Sequence, residues 1–210
     1  MNSKTEKLSL RGAAGVIEAL RDVPAADMPA RGLAVIAPPH PLFGGSMDNK
    51  VVQTLARAFV ACGWTAVRFN FRGVGASQGE HDEGRGEAHD MRAVIEQVAA
   101  DGPLAIAGFS FGAFVAIETL CALWPQRQAD KAVLVGASVE RVAPQALPEA
   151  AHECTLLVHG EQDDAVALAA VLAWARPQSL PVTVVPGGGH FFHGQLPLLK
   201  SLVVRHLGSA

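Results

Sequence analysis

From Gly32 onward the chain alternates short apolar runs with longer stretches of helical spacing. The runs cover residues 33–37, 66–71, 104–107, 132–135, 156–158 and 182–185. Most lack polar alternation and are too short for helices, which predicts strands buried on both faces. Between them, residues 49–62, 87–100, 112–124, 165–176 and 195–206 carry apolar positions at helical spacing and predict helices. Strand, helix, strand in this succession is the pattern of a doubly wound α/β fold, a mostly parallel sheet with helices on both faces. Before Gly32 the pattern differs. Leu8, Leu10, Val16 and Ile17 flank Gly12-Ala13-Ala14-Gly15, as two antiparallel edge strands around a Gly-rich turn would. No repeat, low-complexity segment or linker interrupts the chain, so residues 1–210 are expected to form one α/β domain.

Composition narrows the function classes. At 210 residues the chain can bury roughly 70% of its unfolded surface in one core. The 17 basic and 20 acidic residues leave a net charge of −3 with no basic block, which argues against nucleic acid as the partner. Cys62, Cys121 and Cys154 are an odd number without metal-ligand spacing, which fits buried thiols in a reducing compartment. The N-terminus has no apolar leader core, and the longest apolar run, opening on Ala165 and closing on Ala175, is too short to span a bilayer. A cytoplasmic protein with no membrane partner is the expectation. That same run has no polar face, and a helix apolar all round should be covered, so a homodimer through Ala165 to Ala175 is expected.

The chemistry concentrates at Gly108-Phe109-Ser110-Phe111-Gly112, where a buried strand should turn sharply into a helix. In such a turn the serine is held in a strained backbone conformation, and side chains two positions before and after it would strike neighbouring backbone. The hydroxyl then stands at the helix N-terminus, where the Phe111 amide is a candidate oxyanion donor. A serine nucleophile needs a base oriented by an acid. In a doubly wound sheet these belong in loops after strands. One such loop is His159-Gly160-Glu161-Gln162-Asp163-Asp164, which offers either aspartate. The other is Pro186-Gly187-Gly188-Gly189-His190-Phe191-Phe192-His193, where three glycines favour His190 over His193. The second oxyanion donor should come from Pro38-Pro39-His40-Pro41-Leu42-Phe43-Gly44-Gly45, whose prolines leave amides on Leu42 and Phe43. Phe43, Met47, Phe109, Phe111, Phe191 and Phe192 are the expected apolar walls, with Phe109 the one most suited to the core.

Two other readings fail on spacing. Gly73-Val74-Gly75-Ala76-Ser77-Gln78-Gly79 follows a strand, but its third glycine comes one position late for a dinucleotide fingerprint and a polar, acidic stretch follows. Arg68 and Arg72 beside it are expected to pair with a carboxylate such as Asp90. His190 and His193 with Asp163 or Asp164 do not have zinc-site spacing. Neither cofactor nor metal is expected.

The segments 40–50, 68–75, 108–112 and 189–193, with His159-Gly160-x-x-Asp163, resemble the α/β-hydrolase superfamily, and within it the small bacterial members related to dienelactone hydrolases and short-chain esterases. The resemblance implies Ser110 as nucleophile, Asp163 as acid, His190 as base, and the Leu42 and Phe111 amides as oxyanion donors. Asp164 would then cap the following helix. Dienelactone hydrolases proper carry a cysteine where this chain has Ser110, so a small carboxylic ester is the expected substrate, with a lactone or thioester as the alternative. A non-catalytic binding protein of the same fold is the rival from another class. Only residues 136–153 separate the strand ending near Val135 from the next, too little for an inserted cap, so an open site for short acyl groups is expected.

Overall fold

The computed structural model describes residues 4–140 and 144–208. Among the described residues, eight strands form one sheet. β1 (Lys4–Gly12) and β2 (Gly15–Val23) make the antiparallel hairpin, with Gly15 at φ +120° in its turn. β3 (Gly32–Ala37) is followed by α1 (Lys50–Ala61), β4 (Trp64–Phe69), α2 (Arg85–Val98), β5 (Leu104–Phe109) and α3 (Phe111–Leu123). β6 (Lys131–Val135), β7 (Thr155–Gly160), α4 (Leu168–Ala175), β8 (Val182–Val185) and α5 (Leu196–Gly208) complete the chain. The order β1-β2-β4-β3-β5-β6-β7-β8 is parallel from β4 to β8, and β2 joins β4 antiparallel. β2 is therefore an interior strand, and β1 alone forms that edge.

The sheet separates two apolar layers. α2, α3 and α4 cover one face through Met91, Ile95, Ile117 and Val171, and α1 and α5 cover the other through Leu55, Phe59, Leu199 and Val203. β5, at the centre, is buried at every position, as its unbroken apolar run requires. No described helix is long and apolar enough to cross a membrane.

The structure differs from the sequence reading in three places. β4 lies over 64–69 rather than 66–71; just past it the Asn70 N–H still donates to the Glu18 carbonyl (2.9 Å), while its side chain accepts from the Met47 N–H (2.9 Å) and donates to the Glu18 carboxylate (2.9 Å). α4 begins at Leu168, not near Ala165; the Ala165 and Val166 amides bond to the Asp163 carboxylate (2.9 and 2.8 Å) in a capping pattern, but residues 165–167 do not go on as helix. Asp164 is accordingly not its cap; Ala167 precedes the helix and gives its N–H to Glu140 (2.9 Å). α4 buries Val171 and Ala175, and its exposed positions, Ala169 and Ala173, show only methyl groups.

Between β6 and β7 the described residues form one short 3-10 turn, Glu149–Ala151; Arg141, Val142 and Ala143 of the segment read as too short for a cap lie outside the described residues. The Gly73 to Gly79 loop is stitched to β2, its Ala76 N–H bound by Glu18 (2.9 Å). Arg72 forms the expected pair with Asp90, through two bonds of 2.8 and 2.9 Å. Arg68 instead meets Asp22 (3.0 Å) and the Met47 carbonyl (2.8 Å).

Candidate active site

Ser110 sits between β5 and α3 at φ 57°, ψ −119°, a conformation that L residues rarely adopt. Four backbone bonds hold it there. Its N–H donates to the Val135 carbonyl (2.8 Å), and its carbonyl accepts from Ser138 (3.2 Å), Ala113 (3.0 Å) and Phe114 (3.3 Å). The flanking glycines are required by close packing. A Cβ at Gly108 would fall on the Gly112 carbonyl, and one at Gly112 on the carbonyls of Ala37 and Pro38. β5, β3 and α3 thus meet backbone to backbone, and Ser110 is pushed out at the carboxyl ends of the strands.

Across from it, the loops after β7 and β8 are bound to each other. Glu161 N–H donates to the Val185 carbonyl (3.0 Å), Gln162 N–H to the Gly188 carbonyl (2.8 Å), and Gly187 N–H to the Glu161 carboxylate (2.8 Å). These ties fix Asp163 relative to His190. The His190 Nδ1 is 2.7 Å from one Asp163 oxygen, and its Nε2 is 2.9 Å from Ser110 Oγ. The second Asp163 oxygen accepts from the Ala165 and Val166 amides. Burial alone would raise the Asp163 carboxyl, but the bonds from His190 and from the Val166 and Ala165 amides outweigh it and hold the group below its ordinary range. The His190 ring packs on Phe109 at 4.9 Å between centroids and is nearly buried. Asp164 and His193, the neighbours weighed against Asp163 and His190, are both exposed, and neither lines the cavity that contains Ser110.

Beneath this set lies His159, fully buried, whose Nε2 donates to the Val166 carbonyl (3.0 Å) and stands 3.6 Å from Asp163. Burial pushes its imidazole below the usual value, so the ring is neutral and braces the acid loop.

The cavity around Ser110 has a volume of about 370 Å³ and opens between Phe43, Phe111, Phe191 and His190. Phe43 and Phe191 line it as expected, exposed at 72% and 44%. Met47 and Phe192, also expected there, do not. Met47 is under 5% exposed beneath the loop after β3, and Phe192, held at φ 51°, turns fully into the layer of α1 and α5. The alternation of Phe191 outward and Phe192 inward is a property of this turn.

Oxyanion donors are divided. Phe111 is the first residue of α3, a position whose N–H has no intrahelical acceptor, and it borders the cavity. Leu42 does not take the second place given to it. Its N–H is directed at His40 Nδ1 (3.3 Å), its side chain is turned to solvent, and it lines the adjoining cavity instead. The Phe43, Gly44 and Gly45 amides bond to carbonyls of His40 and Pro41 within the same tight turn. Ser138, after β6, borders the Ser110 cavity without any signal in the sequence; only the return of that loop past the elbow brings it there.

A mostly parallel sheet, a strained serine between the central strand and its helix, and a histidine bridging that serine to an aspartate define the α/β-hydrolase class. The chain belongs to the Hydrolase_4 family, described as serine aminopeptidase, S33, whose model matches residues 42–158. It is similar over 99% of its length to a lidless α/β serine hydrolase from Xanthomonas campestris, with 32% identity, a TM-score of 0.86 and 95% of that chain covered. An α/β serine hydrolase homologue from Coxiella burnetii shows 35% identity and a TM-score of 0.84, with 99% of each chain covered. An uncharacterized protein of Rickettsia prowazekii is 43% identical over 97 residues, 44% of this chain; the match spans 41% of that curated relative's length.

Proposed function

We propose that the protein is a serine esterase that cleaves small carboxylic esters through an acyl-enzyme on Ser110. The observation that carries this reading is the single histidine bonded on one side to Ser110 Oγ at 2.9 Å and on the other to Asp163 at 2.7 Å. Asp163 fixes the tautomer in which Nδ1 carries a proton and leaves Nε2 free to accept one. Ser110 Oγ attacks the ester carbonyl and its proton passes to His190 Nε2. The carbonyl oxygen becomes an oxyanion beside the Phe111 amide. Collapse breaks the bond to the alcohol, which leaves with the proton from His190. Water then loses a proton to His190, attacks the acyl group and releases the carboxylic acid, restoring Ser110.

An ester is favoured over an N-terminal peptide by the lining of the cavity. Among the described residues that border it there is no Asp or Glu to hold a free ammonium group. A lactone would follow the same steps with the freed hydroxyl still attached to the acyl group, and a thioester would release a thiol in place of the alcohol. Labelling by a fluorophosphonate, together with hydrolysis of 4-nitrophenyl acetate, tests the proposal. Both should occur in the parent protein and vanish in Ser110→Ala. Labelling that persists in Ser110→Ala would overturn it.

A further inference from the structure

Beside the Ser110 cavity lies a second one of about 350 Å³, and His40, Phe43, Phe111 and Ser138 border both. Most of its walls are rings, with Leu42, Glu83 and Ser138 also on its border. Phe111 and Phe114 are stacked with centroids 6.0 Å apart, and the His40 ring lies 4.8 Å from Phe43 and 4.7 Å from Phe111. His81 completes the wall, 4.8 Å from His40 and 5.4 Å from Phe111.

His81 is anchored from behind. Its Nδ1 is 3.1 Å from an oxygen of Glu87, a fully buried side chain that also accepts from the amides of Asp82 (2.9 Å) and Gly84 (2.8 Å). Glu87 is therefore an acceptor, so Nδ1 of His81 carries the proton. The shape of imidazole turns Nε2 away from Glu87, and in the neutral ring that nitrogen is an acceptor. An exposed Glu83, at φ 50°, borders the same cavity and disfavours an anionic group there.

We infer that this second cavity is the acyl subsite, and that it takes an aromatic ring carrying a hydroxyl group, which donates to His81 Nε2. The inference rests on the esterase reading and specifies its substrate class. Flat ring walls favour an aryl group over a flexible chain of similar size, because ring pairs gain from edge and offset stacking and lose less rotamer freedom on ordering. The side of the ester follows from proton transfer. The leaving alcohol must reach His190 Nε2, and His190 borders the first cavity only, so a group in the second rides on the acyl part. His81 thus sets specificity at one end of a substrate whose other end is handled by His190.

The test compares kcat/KM for the methyl esters of 3-(4-hydroxyphenyl)propanoate, 3-phenylpropanoate and nonanoate. The hydroxyaryl ester should exceed the aryl ester about three- to tenfold, the value of one hydrogen bond, and the aryl ester should exceed the alkyl ester. In His81→Phe the hydroxyaryl to aryl ratio should fall to about one, with thermal unfolding used to confirm a folded variant. A ratio of one in the parent protein, or an alkyl ester preferred to both, overturns the inference even where 4-nitrophenyl acetate is cleaved through Ser110, and leaves the esterase reading standing. If no ester is cleaved, that reading fails and the subsite is judged by calorimetry. Tighter binding of 3-(4-hydroxyphenyl)propanamide than of 3-phenylpropanamide then supports the subsite, and equal or absent binding overturns it.

Discussion

The two sides of Ser110 are built differently. On the acid and base side, two loops are tied by three bonds between them, His159 braces the floor, and Asp163 and His190 are held to each other at 2.7 Å. On the other side, the loop after β3 closes on itself in a 3-10 turn stiffened by prolines, and displays Leu42 and Phe43 to solvent. The first side holds a fixed reacting geometry. The second presents surface to whatever enters. Precision is needed where a proton moves over one hydrogen bond, whereas a binding wall tolerates variation as long as its shape is kept.

The largest effects should come from breaking the rigid side. Asp163→Asn and His190→Ala should each lower the turnover of 4-nitrophenyl acetate on the order of 10³-fold or more, while Asp164→Asn and His193→Ala, both exposed, should change it far less. The reverse ranking would mean that the neighbours carry the chemistry.

Next in size is the glycine contrast, read by urea unfolding. Gly108→Ala or Gly112→Ala drives a methyl group into backbone that cannot retreat and should cost roughly 3 kcal/mol or more, if the protein folds at all. Gly44→Ala, in the open turn, meets no atom within 4 Å and pays only for its φ of +75°, about 1 kcal/mol.

A smaller effect is expected from pH. Burial holds His159 and His206 below the ordinary imidazole value. The unfolded chain therefore takes up protons first as pH falls through about 6.5, and stability should drop from there downward. A second loss should follow below about 4, where Asp163, depressed in the folded state, becomes protonated in the unfolded chain. Unfolding midpoints at pH 8, 6 and 5 measure the first loss, which should shrink in His206→Gln; a flat profile would show that the folded rings take up protons as readily as the unfolded ones.

The smallest effect belongs to the open side. Leu42→Ala should leave stability within about 0.5 kcal/mol, since the side chain is turned to water. Phe43→Ala should lower kcat/KM for aryl esters with little change in unfolding. The thiols should be quiet as well: burial pushes Cys121 up to about 11, so it should react slowly with a disulfide reagent at pH 8.

The order of apolar runs was enough to determine the doubly wound sheet, and the Gly-x-Ser-x-Gly spacing to place a strained serine after its central strand, because both depend on local pattern and on sterics between near neighbours. The choice of Asp163 and His190 leaned on resemblance and on glycine content, and the structure brings those two together. What escaped were properties that depend on which way a side chain turns. Phe191 and Phe192 are adjacent and chemically identical, yet one borders the cavity and the other fills the core, since an unusual φ at the second reverses its direction. The Leu42 amide looked available from the proline pattern, but His40 Nδ1 claims it within the folded turn. Ala165 looked like the start of a helix by composition alone, yet helix begins only at Leu168, and the Ala165 amide bonds to the same Asp163 whose other oxygen meets His190. Nothing along the chain singles out His81; the fold sets Glu87 behind it and Phe111 beside it. Pattern along the chain sets which faces are buried, but partners for single polar atoms come from segments far apart in sequence, and only tertiary packing decides which of them meet.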